Sequence, residues 1–172
     1  MRRAATPLHF AAQKGEAETA RRLVEGGAVV DSPTKLGATP LHVASEQGHA
    51  EVARLLIRSG AELDAQTDAG LNALHFAAEQ GSVEVARLLL EHGADAGAQT
   101  NTGHTPLHIA VQKAEMEVIR VLLSTARDSI EASTNLGYTP LHLAALLGES
   151  AALELLLASG CLLYTSPSPR DS

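Results

Sequence analysis

A tetrapeptide that returns at a fixed interval constrains this chain more than any other feature. It reads Thr-Pro-Leu-His four times and Asn-Ala-Leu-His once. The copies occupy residues 6–9, 39–42, 72–75, 105–108 and 139–142. Successive copies are therefore 33, 33, 33 and 34 residues apart, and an alanine follows each histidine by two positions. Such a period is typical of a fold that stacks copies of one small unit.

Each unit is predicted to begin with a short helix. Threonine is a good N-cap because its hydroxyl can accept from an unpaired backbone N–H, and proline fits the next position because no hydrogen bond is lost there. Asn72 replaces the threonine in the third copy and is expected to be an equal or better cap. Glycine ends this helix in four copies, at Gly15, Gly48, Gly81 and Gly148. Ala114 takes its place in the fourth copy, and we expect strain in that turn.

A second helix follows in each unit. In the second copy, Val52, Leu55 and Leu56 fall on one helical face, and their counterparts repeat this pattern. Gly-Ala pairs at 27–28, 60–61 and 93–94 end these helices. A polar stretch with one more glycine then precedes the next cap, and it is predicted to form an extended turn or hairpin. Those glycines are Gly37, Gly70, Gly103 and Gly137.

The signature, its period, the inter-helix glycine and the closing Gly-Ala together resemble the ankyrin-repeat family over about residues 4–160. The resemblance implies an all-α solenoid of stacked helix-turn-helix units with β-hairpin or turn fingers. It also implies that the repeated histidine bonds its capping threonine and the backbone of the next repeat. We place the repeats at about 1–35, 36–68, 69–101, 102–135 and 136–160.

The two ends of the array differ. Arg22 and Thr19 replace apolar residues of later second helices, as expected of a terminal cap in repeat 1. Leu146 and Leu147 stand where repeats 1–3 are polar, so either further repeats follow repeat 5 or this surface binds something. Residues 161–172 leave the pattern and are expected to be a disordered or non-native tail, or else to carry phosphorylation sites at Ser166 and Ser168. The extra residue within 124–138 is expected to change the shape of the last finger.

Composition and charge limit the classes of partner that this chain is expected to bind. A formal net charge of −7 argues against nucleic acid, which requires clustered lysine and arginine. No apolar run is long enough for membrane insertion, and no secretory leader is evident. The single cysteine, Cys161, cannot form an intramolecular disulfide. We therefore expect an intracellular, cytoplasmic setting and a monomer.

Catalytic, cofactor and metal sites are not expected. Histidines one repeat apart are separated by about 8–10 Å, because that is the distance between packed helices, so they cannot share a metal ion. His49, His92 and His104 are expected on the surface. The chain has no nucleophile elbow or phosphate-binding loop. The repeated Glu–Arg pairs 51/54, 84/87 and 117/120 are most simply a solvated helix face, with a charged docking strip as the alternative.

The resemblance implies that a protein partner binds the finger tips and the exposed side of the first helices. The corresponding positions in the fingers are Lys35, Leu36, Asp68, Leu71, Asn101, His104, Leu136 and Tyr138. The corresponding positions in the first helices are Glu46, Gln47, Glu79, Gln80, Gln112, Lys113, Leu146 and Leu147. The C-terminal half is the preferred contact region, because Tyr138 is the only aromatic residue in a finger and tyrosine is common at binding hot spots.

The predicted function is a non-catalytic protein-interaction scaffold. Two alternatives stay open at this point. In the first alternative, the array is the recruiting arm of a larger enzyme, such as a kinase or ubiquitin ligase. In the second, it is the cytosolic part of a channel. Fold alone does not separate them, because binding surfaces differ between proteins that share an architecture.

Overall fold

The computed structural model describes residues 4–160, which form five stacked helix pairs. The first helix of each pair is α1 (Pro7–Lys14), α3 (Pro40–Gln47), α5 (Ala73–Glu79), α7 (Pro106–Gln112) and α9 (Pro140–Leu147). The second is α2 (Ala17–Glu25), α4 (Ala50–Arg58), α6 (Val83–Glu91), α8 (Met116–Thr125) and α10 (Ser150–Ala158). The predicted all-α solenoid is confirmed. The predictions for residues 161–172 lie outside the described residues.

The core lies between a layer of first helices and a layer of second helices. It is built from leucine, alanine and valine, and its largest fully buried apolar side chains include Leu41, Leu74, Leu89 and Leu122. Small side chains let neighbouring helices approach closely, so each thin pair covers the next one. Rings are not needed for this packing, and Phe10 lies exposed on the surface.

The repeated histidine ties each helix start to the next repeat. The backbone N–H of Thr39 donates to Nδ1 of His42 at 2.9 Å, and the Thr39 hydroxyl lies 2.9 Å from the same nitrogen. Since a backbone N–H can only donate, the ring proton must be on Nε2. Nε2 then donates to the carbonyl oxygen of Leu71 in the next finger at 3.1 Å. His9, His75 and His108 donate in the same way to the carbonyls of Ala38, His104 and Tyr138. The role implied by the family resemblance is confirmed for His9, His42 and His108, and His75 makes the same bond to the next finger with Asn72 in place of the threonine.

Asn72 caps its helix but does not serve its histidine equally well. Its Oδ1 accepts from the backbone N–H of His75 at 3.1 Å, as a cap should. The same oxygen lies 2.7 Å from Nδ1 of His75, which already accepts from the Asn72 N–H. Two acceptors therefore face each other where the other repeats place a hydroxyl donor. The expectation of an equal or better cap is confirmed, since the Asn72 side chain accepts a helix N–H.

Ala114 occupies the left-handed conformation that the other repeats give to glycine. Its φ is 58°, and it is the only non-glycine residue with positive φ among the described residues. Gly15, Gly48 and Gly148 have φ of 72–75° at the equivalent turn. A left-handed conformation brings the Cβ of an L-residue too close to the following carbonyl oxygen. The expected strain is therefore present.

Replacing Ala114 by glycine should stabilise the protein by about 0.5–1 kcal/mol, because relief of the Cβ strain exceeds the extra backbone entropy that glycine loses. Urea unfolding monitored by circular dichroism measures the change. Gly148→Ala is the matched control, since its added Cβ meets nothing within 4 Å, and it should destabilise by a similar amount. An Ala114→Gly variant that unfolds at lower urea than the parent contradicts this account.

The extra residue before the last finger changes the base of that finger rather than its tip. A 3₁₀ helix, Arg127–Glu131, follows α8 and takes up the additional length, with Ile130 buried against the core. At the tip, the N–H of Thr134 donates to the carbonyl of Tyr138 at 2.9 Å, as in the preceding fingers. The expected change of shape is therefore confined to the base.

The N-terminal end of the stack is polar. Arg22 and Thr19 are exposed, and the Arg22 guanidinium donates to a Glu18 carboxylate at 3.1 Å. The counterparts of Thr19 in repeats 2–4 are fully buried valines. Repeat 1 therefore has the solvated outer face of a cap, as predicted.

The predicted Glu–Arg pairs on the second helices form in part. Glu51 lies 3.5 Å from Arg54, and Glu117 lies 3.4 Å from Arg120. Glu84 instead pairs with Arg54 of the preceding repeat at 3.6 Å. Exposed pairs of this kind contribute only about 0.2–1 kcal/mol each.

Candidate binding surface

The fingers are single tight turns, each closed by a threonine. The N–H of Thr34 donates to the carbonyl of Ala38 at 2.9 Å, and the Ala38 N–H donates back to the Thr34 hydroxyl oxygen at 3.1 Å. The same pattern recurs at Thr67, Thr100 and Thr134. This threonine is not among the residues predicted from the sequence, although it follows the same period of 33 or 34 residues. The sequence predicted either an extended turn or a hairpin at these positions, and the structure has turns.

Neighbouring fingers are hydrogen-bonded side by side. The N–H groups of Asp68, Asn101 and Asn135 donate to the carbonyls of Leu36, Ala69 and Thr102, each at 3.0 Å. The Asn101 side-chain amide also donates to the Asp68 carbonyl at 2.8 Å, and the Asn135 amide donates to the Asn101 carbonyl at 2.9 Å. The four finger tips therefore form one fixed row. Asn101 and Asn135 hold this row together in addition to lying on its surface.

Two open grooves lie between the finger row and the first helices. The first groove has a volume of 350 Å³ and runs between the first two fingers, α3 and α5. The second groove has a volume of 760 Å³ and runs along the second and third fingers, α7 and the end of α9. The two grooves adjoin at the second finger, where Ala69 and Leu71 line both of them.

The floor of these grooves is apolar, and the residues that form it are not among those predicted from the sequence. They stand immediately after each repeated histidine. Val43 and Phe76 line the first groove, and Ile109 lines the second. The Phe76 ring packs edge-on against the His42 ring at a centroid distance of 5.5 Å. A signal was available, because this position is apolar in all five repeats.

The predicted contact residues fall into three groups. Those that line the first groove are Leu36, Glu46, Asp68 and Leu71. Those that line the second groove are Leu71, Glu79, Asn101, His104, Gln112, Lys113 and Leu147. Those that line neither are Lys35, Gln47, Gln80, Leu136, Tyr138 and Leu146. The second and larger groove extends into the C-terminal half that the sequence favoured, but Tyr138 stands on the finger row outside it.

Charge on the groove wall is partly neutralised within the protein. The Lys113 ammonium lies 3.2 Å from the Glu79 carboxylate and joins the first helices of repeats 3 and 4. Both side chains remain partly exposed, so a partner could exchange this pair for its own charges at little net loss. The second groove therefore offers one positive and one negative group side by side.

Two of the three histidines expected on the surface are half-buried. His92 is exposed as predicted. His49 instead packs over Gly15 and bonds the Gln13 carbonyl through Nε2 at 3.2 Å. His104 bonds the Thr102 hydroxyl at 2.9 Å and packs edge-on against His108. His49 therefore makes a contact between adjacent repeats, which a reading of single repeats does not show, whereas the His104 side chain contacts residues of its own repeat.

Four of the five repeated histidines, His9, His42, His75 and His108, are buried structural groups that favour the neutral form. Burial lowers the pKa of His9 and His42 and lowers the pKa of His75 and His108 to about 4, although bonds to backbone carbonyls oppose the shift. Both ring nitrogens of each are engaged in hydrogen bonds. Within residues 4–160, no cluster of three or more metal-ligating side chains occurs, and no helix has the length and apolar character to span a membrane.

Comparison with protein families gives one result that spans the chain. A family model described as ankyrin repeats, in three copies, matches residues 2–67, 59–132 and 74–166. These matches cover both the inner helices and the finger row. A search of curated proteins found no match.

Proposed function

The chain belongs to the ankyrin-repeat family, and from this premise we propose that it is a non-catalytic module that binds a protein partner on its concave surface. Ankyrin repeats are generally protein–protein interaction modules and are typically non-catalytic. The proposed contact surface consists of the finger row and the two grooves beneath it.

The observation that carries this proposal is the fixed finger row above an apolar floor. Hydrogen bonds between successive fingers hold the tips in place before any partner arrives, so little ordering entropy is lost on binding. Apolar side chains such as Phe76 and Ile109 are accessible in the grooves, where a partner can bury them. A recess of this kind provides apolar contact area with polar groups at its rim, as protein interfaces do.

Leu36 is the proposed anchor of the first groove. Its side chain is 71% exposed at the tip of the first finger, next to Val43 and Phe76. The remaining predicted contact residues, including Leu136 and Tyr138, belong to the same proposed surface. Leu136 is 81% exposed, and Tyr138 is also exposed, so the last finger extends this apolar rim beyond the second groove.

Leu36→Asp should weaken partner binding at least tenfold, because it puts a charge where an apolar contact is proposed, while the melting temperature stays within about 2 °C of the parent. Affinity capture from cell extract, quantified against the parent protein, identifies the binders, and titration of a purified binder gives the change in Kd.

Val29→Asp is the matched control. Val29 is also a large exposed apolar residue, at 63%, but it lines neither groove. A genuine partner is retained by Val29→Asp and lost by Leu36→Asp. Equal retention by both variants would show that the first groove is not the contact surface.

A further inference from the structure

The first groove combines an apolar floor with an acidic rim. Val43 and Phe76 form the floor, and the exposed Leu36 stands beside them at the first finger tip. Among the residues that the structure describes, two side chains of the lining are charged at neutral pH, Glu46 and Asp68, and both are acidic. Given the proposed function, on which this inference rests, we propose that the groove takes a partner segment in which a large apolar residue stands close to a lysine or arginine. The apolar side chain packs on the floor, and the cation pairs with Glu46.

Comparison of successive repeats shows that Glu46 lacks the internal cation that its counterpart has. Glu79 is the equivalent residue of repeat 3, and its carboxylate lies 3.2 Å from the ammonium of Lys113 in the following repeat. One repeat earlier, the position of Lys113 is taken by the uncharged Gln80. Within residues 4–160, no cationic nitrogen lies within 4 Å of the Glu46 carboxylate. The chain therefore supplies a cation to one of two equivalent carboxylates and not to the other.

The Lys113–Glu79 pair also indicates where a partner's cation would lie. It joins α5 and α7 on the concave side of the stack, and both of its side chains stay partly exposed. Because the units repeat, the equivalent place lies between α3 and α5, in the groove that Glu46 and Phe76 both line. A lysine or arginine held there would have an apolar floor next to it, so an apolar residue near it in the partner chain could be buried at the same time.

The sign of the charge distinguishes the two grooves. In the first groove, Glu46 and Asp68 would both repel an acidic segment and attract a basic one, and the chain's formal net charge of −7 acts in the same direction. In the second groove, Lys113 stands beside Glu79, so the local charges largely cancel. The preference for an apolar residue with a basic neighbour is therefore a property of the first groove.

A selection from random short peptides displayed on phage tests this preference directly. Peptides that the 172-residue chain retains and that Leu36→Asp loses are synthesised with a fluorescent label, and their affinities are measured by anisotropy. We expect these peptides to carry a lysine or arginine within about three residues of a large apolar residue. An extended chain covers only about 3.3 Å per residue, and both contacts lie in one groove.

Charge reversal locates the cation. Glu46→Lys should lower the affinity of the selected peptides about tenfold, because it replaces an attraction by a repulsion. Exchanging the peptide's basic residue for glutamate should restore at least about a third of that loss in Glu46→Lys and weaken binding to the parent. Glu25→Lys is the matched control, since Glu25 is also exposed, lines neither groove and changes the net charge equally. It should change the affinity less than about twofold in physiological salt.

Gln80→Lys tests the same site from within the protein. The new ammonium would stand toward Glu46 as Lys113 stands toward Glu79, and it would compete with the peptide's cation. We expect the affinity to fall about threefold, in line with the modest strength of exposed ion pairs. The melting temperature should stay within about 2 °C of the parent for this variant and for Glu46→Lys, since both positions are exposed.

The outcomes separate this proposal from the proposed function. Peptides that depend on Leu36 but carry no basic residue, or that bind Glu46→Lys as tightly as Glu25→Lys, would overturn the apolar–basic preference and leave the first groove as a contact surface. So would basic peptides whose affinity is unchanged when serine replaces their apolar residue. A selection that returns no peptide dependent on Leu36 would overturn both the preference and the role of the first groove.

Discussion

Gly103→Ala should lower the free energy of unfolding by about 3 kcal/mol, because two separate effects act at this finger. The φ of Gly103 is 82°, and an L-residue there costs about 1–2 kcal/mol. In addition, the new Cβ would lie 2.6 Å from the backbone nitrogen of Asn135. The last finger would have to move away, which weakens the two hydrogen bonds from Asn135 to Thr102 and Asn101, each worth about 1 kcal/mol.

Gly137→Ala is the control that separates the two effects. Gly137 has the same φ of 82°, but a Cβ at this position meets nothing within 4 Å. It should therefore cost only about 0.5–1 kcal/mol, the backbone strain less the extra backbone entropy that glycine loses on folding, as for Gly148→Ala. Urea unfolding of both variants, followed by helix signal at 222 nm, gives the difference. Equal costs for the two substitutions would mean that contact between fingers does not stabilise the stack.

The other finger glycines differ in how close an added Cβ would come to the next finger. A Cβ on Gly70 would lie 2.8 Å from the Asn101 nitrogen, and one on Gly37 would lie 3.2 Å from the Asp68 nitrogen. The cost of alanine should therefore rise from Gly137 through Gly37 and Gly70 to Gly103. The conformational term is nearly constant across the series, since the φ values are 80–82°.

The helix pairs could be predicted from the sequence because their signals are local. Threonine and proline fix the start of α3, and Gly48 ends it, within a single span of ten residues. The strain at Ala114 was also visible, because its four counterparts are glycine. The polar cap at Arg22 could also be predicted, because the equivalent position is apolar in later repeats. A face without a neighbour does not need apolar residues.

The features that the sequence did not reveal depend on contacts between repeats. The pairing of Glu84 with Arg54, rather than with Arg87, is set by how adjacent second helices lie against each other. Phe76 reads as a core residue in a single helix, but stacking places it on the floor of the first groove. The half-buried position of His49 over Gly15 has the same origin. Each depends on the offset between neighbouring units, which a motif in one unit does not contain.

Stability should fall as the pH is lowered from 6.5 toward 4, because the buried histidines must be neutral in the folded state. Burial lowers the pKa of His75 and His108 to about 4 in the folded protein, while an unfolded histidine titrates near 6.5. Above pH 6.5 these histidines are neutral in both the folded and the unfolded protein, so they do not reduce the free energy of unfolding. Below pH 6.5 the histidines of the unfolded protein bind protons, whereas those of the folded protein stay neutral. The free energy of unfolding therefore falls until the folded histidines also bind protons.

For His75 the expected loss between pH 7.5 and pH 5 is about 2 kcal/mol, from a shift of about 2.5 pKa units that is mostly expressed at pH 5. His108 adds a loss of the same sign, and so do His9 and His42, whose pKa values are also lowered. A domain of this size has a total stability of about 5–15 kcal/mol, so these histidines together should remove a large fraction of it.

His75→Gln isolates the contribution of one buried histidine. Glutamine at this helix position can still bond the cap, and it does not titrate. The variant should be less stable than the parent at pH 7.5, but its loss between pH 7.5 and pH 5 should be smaller by about 2 kcal/mol. His92→Gln, on the exposed surface, should lose the same amount as the parent, and the carboxylates common to all three proteins cancel in the comparison. Urea titrations at half-unit pH steps measure these losses. If the free energy of unfolding falls with pH in parallel for the parent and His75→Gln, burial of His75 does not govern the acid sensitivity of the stack.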